Sequence, residues 1–131
     1  MFDKKSSPQV TKDLGDAAEN RALAHLQAGG LRLVERNYRV ARGLSRRGGE
    51  VDLILRDRDG TLVFAEVRAR RSAAHGGAAA SVTTTKQRRI VYAAQHYLLR
   101  YATLPPCRFD VVAIEGERIE WIRSAFDLSS Q

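Results

Sequence analysis

Apolar residues recur at every fourth position through Leu14, Ala18, Ala22 and Leu26, a spacing that lays them along one face of an α-helix. Asp13 can cap that helix and Gly29-Gly30 can end it, so the pattern predicts a helix over residues 13–27. Leu31–Val40 alternates as a strand does, with Arg36, Tyr38 and Val40 on one face. Glu50–Arg56 and Leu62–Arg68 are two β-rich runs joined by Asp57-Arg58-Asp59-Gly60, which predicts a hairpin turning at Asp-Gly. A threonine of Thr83-Thr84-Thr85 can cap a second helix ending near Tyr101, with Ile90, Ala94, Tyr97, Leu98 and Tyr101 as its apolar stripe, and Pro105-Pro106 follows. Phe109–Ile114 and Arg118–Ile122 form a second hairpin around Glu115-Gly116-Glu117, with Ser124–Gln131 as a tail or short turn. The resulting order, αβββαββ, is an α/β fold with a mixed sheet flanked by helices.

The 131 residues fit one domain, placed at 13–128 behind a polar, aperiodic and flexible tail at 1–12. A single cysteine, Cys107, excludes an internal disulfide and a multi-cysteine zinc site. No run approaches the roughly 18 apolar residues of a membrane span, and no apolar stretch follows the charged start, so a cytoplasmic protein with no membrane partner is expected. The three histidines, His25, His75 and His96, lack paired ligand spacing. Trp121, Tyr38 and Cys107 suit a core better than a site.

Charge changes this picture because it is unevenly spread. The net charge is +7, yet residues 67–109 carry eight cations and no acid. A second acid-free stretch, 36–49, holds Arg36, Arg39, Arg42, Arg46 and Arg47. Eighteen of the 22 cations are arginine, which pairs bidentately with phosphate. Nucleic acid, DNA in the first instance, is therefore the expected partner. The candidate contacts are Arg42, Arg46 and Arg47 in one loop, Arg70 and Arg71 in a long connection over 69–81, and the helix start Lys86-Gln87-Arg88-Arg89. Cations in the first turn of a helix oppose its macrodipole by about 0.3–1 kcal/mol each. A polyanion lying against that end would offset the cost.

Carboxylates lie between the two basic stretches. Glu50 and Asp52 stand two apart on one predicted strand, and Glu66 and Arg68 two apart on the next. Glu66 is embedded in an apolar run, where a charge is costly unless compensated. Mg²⁺ or Mn²⁺ would compensate it, since Mg²⁺ commonly takes one or two carboxylates plus water and substrate phosphate oxygens. Asp52 and Glu66 provide that pair, Glu19 at the edge of the first helix's apolar stripe is a third candidate, and Glu50 at a strand start is the weakest. On spacing alone, cross-strand ion pairs with Arg68 account for the acids equally well.

Six segments carry a resemblance: Gly15-Asp16-Ala17-Ala18-Glu19, Asn37-Tyr38-Arg39, Gly49-Glu50-Val51-Asp52-Leu53-Ile54, Val63-Phe64-Ala65-Glu66-Val67-Arg68, Lys86-Gln87-Arg88-Arg89-Ile90 and Arg108-Phe109-Asp110-Val111-Val112. In order and spacing they resemble the bacterial YraN-type family of small uncharacterised proteins, over about residues 13–128. That family resembles the restriction-endonuclease-like superfamily and is similar in core to archaeal Holliday junction resolvases. The resemblance implies catalytic residues at Glu19, Asp52, Glu66 and Arg68, with the backbone carbonyl of Val67 as an additional metal ligand. It also implies a homodimer on symmetric junctions, for which the strand near Ile119–Ile122 is the candidate surface.

Arg68 departs from the implied pattern, which has lysine there. An arginine stays protonated and cannot activate water as a base, although it can hold a phosphate. Lys86 is a candidate substitute. The expected function is a divalent-metal-dependent nuclease that hydrolyses DNA phosphodiester bonds, including branched or junction DNA. The alternative is a nucleic-acid-binding module of the same fold with impaired catalysis. A third reading is an interaction domain that uses its arginines on a protein partner.

Overall fold

The computed structural model describes residues 8–41, 48–70 and 82–127. Helix α1 (Pro8–Ala28) begins five residues before Asp13, with proline in the first turn, where its missing N–H breaks no helical bond. It ends at Gly30, whose φ of 101° suits glycine, and Leu31 N–H closes the end on the Leu26 carbonyl at 3.1 Å. Strands β1 (Arg32–Val40), β2 (Gly49–Arg56) and β3 (Leu62–Arg70) follow, then helix α2 (Thr84–Leu98) and strands β4 (Cys107–Glu115) and β5 (Arg118–Phe126). The five strands lie side by side in chain order. Three pairings are antiparallel and the β3–β4 pairing is parallel, so the sheet is mixed and the order αβββαββ is the expected one.

The parallel pair requires a crossover, and α2 provides it. Thr83 caps α2 by accepting the Lys86 N–H at 3.2 Å. The helix stops at Leu98, a turn before Tyr101. Strand β5 runs to Phe126, so Ser124, Ala125 and Phe126 belong to the sheet, and Phe126 stacks on Phe109 at 5.1 Å. Residues 42–47 and 71–81, including Arg42, Arg46, Arg47 and Arg71, lie outside the described residues.

The sheet separates two apolar layers. On one side Ala18, Ala22 and Leu26 of α1 bury against Leu53, Leu55, Val63, Ala65, Val112 and Ile114. On the other, Ile90, Ala93, Ala94, Tyr97 and Leu98 of α2 cover Val51, Ile54, Leu62, Phe64, Phe109 and Val111. Val51 and Leu53, two apart on β2, belong to opposite layers, so the strand's alternation breaks at Asp52. The paired strand breaks beside it. Asn37 has φ 52°, Arg36 reaches Glu19 of α1, and Tyr38 packs on Tyr97 of α2, so Arg36 and Tyr38 do not share the expected face. Asparagine is among the residues that tolerate this backbone region.

Candidate active site

The face change opens a notch between β2 and β3. Their ladder runs from Arg56↔Leu62 to Leu53↔Ala65, and one more step would pair Asp52 with Glu66. Instead Asp52 Oδ2 accepts the Val67 N–H at 2.8 Å. Beyond that point β3 continues on β4 alone, with Glu66 opposite Val111 and Arg68 opposite Ala113. A strand residue directs its N–H and C=O toward the same neighbour, so the Val67 carbonyl also faces the notch.

Each acid meets a different environment. Only 3% of the Glu66 side chain is exposed, and among the described residues no donor reaches its buried Oε1. Its Oε2 lies 3.6 Å from Lys86 Nζ and 3.7 Å from Arg68 Nη1. Burial, and then the charge of Asp52, push the Glu66 pKa up to about 8, against the opposing pull of Lys86 and Arg68. Asp52 is also raised, chiefly by burial, while the Val67 N–H and a hydrogen bond from Glu66 hold it down. Glu66 thus holds its proton up to about pH 8.

Glu50 and Glu19 stand on either side of this pair. Glu50 Oε1 lies 3.5 Å from Lys86 Nζ and its Oε2 3.5 Å from Arg39 Nε. Glu19 Oε1 accepts from Arg36 Nη2 and Asn37 Nδ2, both at 3.3 Å, and its pKa is raised by burial and then by the charge of Asp52. Asp52 is the electrostatic centre, since Glu19, Glu50, Glu66 and Lys86 all couple to it.

Among the described residues no three His, Cys, Asp or Glu side chains gather into a group able to hold a metal ion. Glu19, engaged by Arg36 and Asn37, does not complete a cage. The residues do suit a hard cation held by few protein ligands, because Asp52 and Glu66 are two close carboxylates and Glu66 Oε1 is buried with no donor among the described residues. Such an ion would replace the proton the pair now needs.

Of the cations expected along a DNA backbone, Arg88 and Arg89 are exposed on the first turns of α2, whereas Lys86 turns inward to the acids. Gln87 Nε2 donates to the Val82 carbonyl at 3.0 Å. Arg70 ends β3 opposite Glu115. Glu50, the weakest candidate on spacing, pairs with Lys86 and Arg39, and Arg39 and Asn37, named in the sequence without a role at the acids, contact Glu50 and Glu19. The available signal was an asparagine interrupting a strand between arginines, one residue before Tyr38.

The model of the uncharacterised protein family UPF0102 matches residues 18–114, a span that contains Glu19, Glu50, Asp52, Glu66, Arg68 and Lys86. The chain belongs to UPF0102. The match bears out the resemblance drawn from the six segments. A UPF0102 protein of Methylibium petroleiphilum is 68% identical, covering 92% of this chain and 98% of its own. One of Acidovorax sp. is 63% identical over 91% and 88%, and one of Cupriavidus pinatubonensis 57% identical over 95% and 94%. These UPF0102 relatives thus span nearly the same domain. No described helix of this UPF0102 chain is long and apolar enough to cross a membrane.

Proposed function

We propose that this protein is a divalent-metal-dependent nuclease that hydrolyses DNA phosphodiester bonds, with branched or junction DNA as the first substrates to try. The observation that carries the reading is the buried Asp52–Glu66 pair in the notch, with the Val67 N–H on one acid and the cations Lys86 and Arg68 on the other. Mg²⁺ or Mn²⁺, held by Asp52, Glu66 and the Val67 carbonyl, would lower the pKa of a bound water and neutralise charge building on the phosphate. Val67 N–H fixes the orientation of the Asp52 carboxylate. Arg68, at the exposed side of Glu66, would hold the scissile phosphate and stabilise its developing charge. Arg88 and Arg89 would follow the DNA backbone away from the notch, and Glu19 would add negative charge beside Asp52 that favours a bound cation.

The test is a panel of linear, flapped and four-way DNAs incubated with Mg²⁺ or Mn²⁺, comparing wild type with Asp52→Ala. The reading requires metal-dependent cleavage that Asp52→Ala abolishes. Equal activity in that variant marks a contaminating nuclease. Arg68 in place of lysine favours a second reading, a DNA-binding module without turnover. Tight, steeply salt-dependent binding with no cleavage of any substrate would select it.

A further inference from the structure

Lysine is scarce in this chain. It has four lysines against eighteen arginines, and beyond residue 12 the only one is Lys86. Lys86 occupies the third position of α2, where the helix dipole disfavours a cation, yet it does not bend out to water as Arg88 and Arg89 do. Its side chain is 24% exposed, and its Nζ sits between Glu50 Oε1 at 3.5 Å and Glu66 Oε2 at 3.6 Å. Arg68 approaches the same Glu66 oxygen from a more exposed position, 37% exposed and 3.7 Å away.

The approach of α2 to β2 sets this arrangement. A Cβ on Gly49 would collide with the Arg89 carbonyl oxygen and come within 3.0 Å of the Ala93 nitrogen. Glycine next to Glu50 therefore lets the first turns of α2 seat directly on the start of β2. Thr83 fixes the end of the helix through the Lys86 N–H at 3.2 Å.

We propose that Lys86 is the catalytic lysine of this site, and that Arg68 serves the phosphate. The assignment rests on the hydrolytic reading above. An ammonium is a compact donor with three N–H bonds, suited to holding a small water molecule, whereas a guanidinium is a planar fork suited to a phosphate. Lys86 donates to the attacking water and remains protonated throughout. The water oxygen bonds to phosphorus and one P–O ester bond breaks. One water proton passes to the leaving alkoxide, giving an alcohol, and the other stays on the phosphomonoester product.

The assignment separates Lys86 from the cations that merely track DNA. A lysine that neutralises a DNA phosphate contributes about 0.9 to the slope of log affinity against log salt. Lys86, already paired with two carboxylates, contributes nothing to that slope. Binding of labelled four-way and flapped DNA in EDTA across a salt series, with steady-state cleavage in Mg²⁺ and Mn²⁺, tests this on wild type, Lys86→Met, Lys86→Arg and Arg68→Met. Thermal melts check that each variant is folded. Lys86→Met and Lys86→Arg should lower kcat at least 100-fold and 10-fold, with an unchanged salt slope. Arg68→Met should raise KM severalfold, lower kcat less than Lys86→Met does, and reduce the slope by about 0.9. If wild type cleaves and Lys86→Met cleaves as well, or if Lys86→Met alone reduces the slope, the assignment falls while the nuclease reading stands. If wild type cleaves nothing, both fall.

Discussion

Asp52 accepts the Val67 N–H where the β2–β3 register would otherwise have set Asp52 opposite Glu66. A side chain thus takes the place of a main-chain partner, and the two strands part without leaving that N–H bare. Asp52→Ala removes the Val67 acceptor together with the charge that opposes ionisation of Glu66. These effects oppose each other, so stability should change by no more than about 1–2 kcal/mol, while DNA cleavage in Mg²⁺ falls at least 100-fold. Urea denaturation beside a cleavage assay checks both. A loss of folding equal to the loss of activity would show that Asp52 is structural only.

Glu66 gives the metal-free protein a pH dependence with a definite sign. Its folded pKa of about 8 exceeds the ordinary 4.5, so between those values the folded state binds a proton that the unfolded state lacks. Its contribution therefore makes stability fall as pH rises through that window and level off above it, with a slope of at most about 1.4 kcal/mol per unit. Glu66→Gln should abolish this slope and stabilise the metal-free protein at pH 8 by about 1–3 kcal/mol. Denaturation curves from pH 5 to pH 9 in EDTA measure it, and a wild-type curve that rises through this range would contradict the proton on Glu66.

Two Gly→Ala substitutions should act in opposite directions. At Gly15, exposed on α1 with open space around it, alanine should stabilise by about 0.5–1 kcal/mol through its helix propensity. At Gly49, alanine meets the backbone of α2 and should cost about 1–3 kcal/mol. Because displacement of α2 also carries Lys86 away from Glu50, Gly49→Ala should lose cleavage even under conditions where it is fully folded. Circular dichroism melts and a cleavage assay at low temperature separate the two effects.

On β4, one register step from the Val111 that faces Glu66, fully buried Asp110 accepts from Arg108 Nε at 3.1 Å, Trp121 Nε1 at 2.9 Å and the Ser124 N–H at 3.0 Å. Arg108 continues to Asp57 in the β2–β3 turn at 2.9 Å. Removal of the central carboxylate unpairs Trp121 Nε1 and the Ser124 N–H and leaves Arg108 with Asp57 alone, so Asp110→Ala should cost about 3–5 kcal/mol. Chemical denaturation tests this, and a loss below about 1 kcal/mol would mean that water replaces the network.

The order of elements was legible because hydrophobic periodicity depends on local spacing, and the hairpin turn and the helix cap are local chemistry. Boundaries moved where tertiary contacts decided them: β5 extends to Phe126 because Phe109 and the Asp110 carboxylate hold its end. The pairing of Asp52 with Glu66 followed from spacing across the hairpin. The inward turn of Lys86 did not, because it depends on a crossover helix docking on Gly49, and helical spacing does not show which neighbouring strand a residue meets. The breaks at Asn37 and Asp52 were hidden for a related reason, since alternation assumes a regular strand.

The site's charges also have an order of assembly set by chain connectivity. Asp52 and Glu66 are brought together by a short turn, so little loop-closure entropy opposes their meeting. Lys86 stands 20 residues from Glu66 and 36 from Glu50, against 14 between the two acids, and it reaches them only once α2 has docked on the start of β2. Two acids therefore meet before their ammonium arrives, and the hairpin forms more readily when one of them carries a proton. Refolding should accelerate as pH falls from 8 toward 5, which links the residues proposed for catalysis to the kinetics by which the sheet is built.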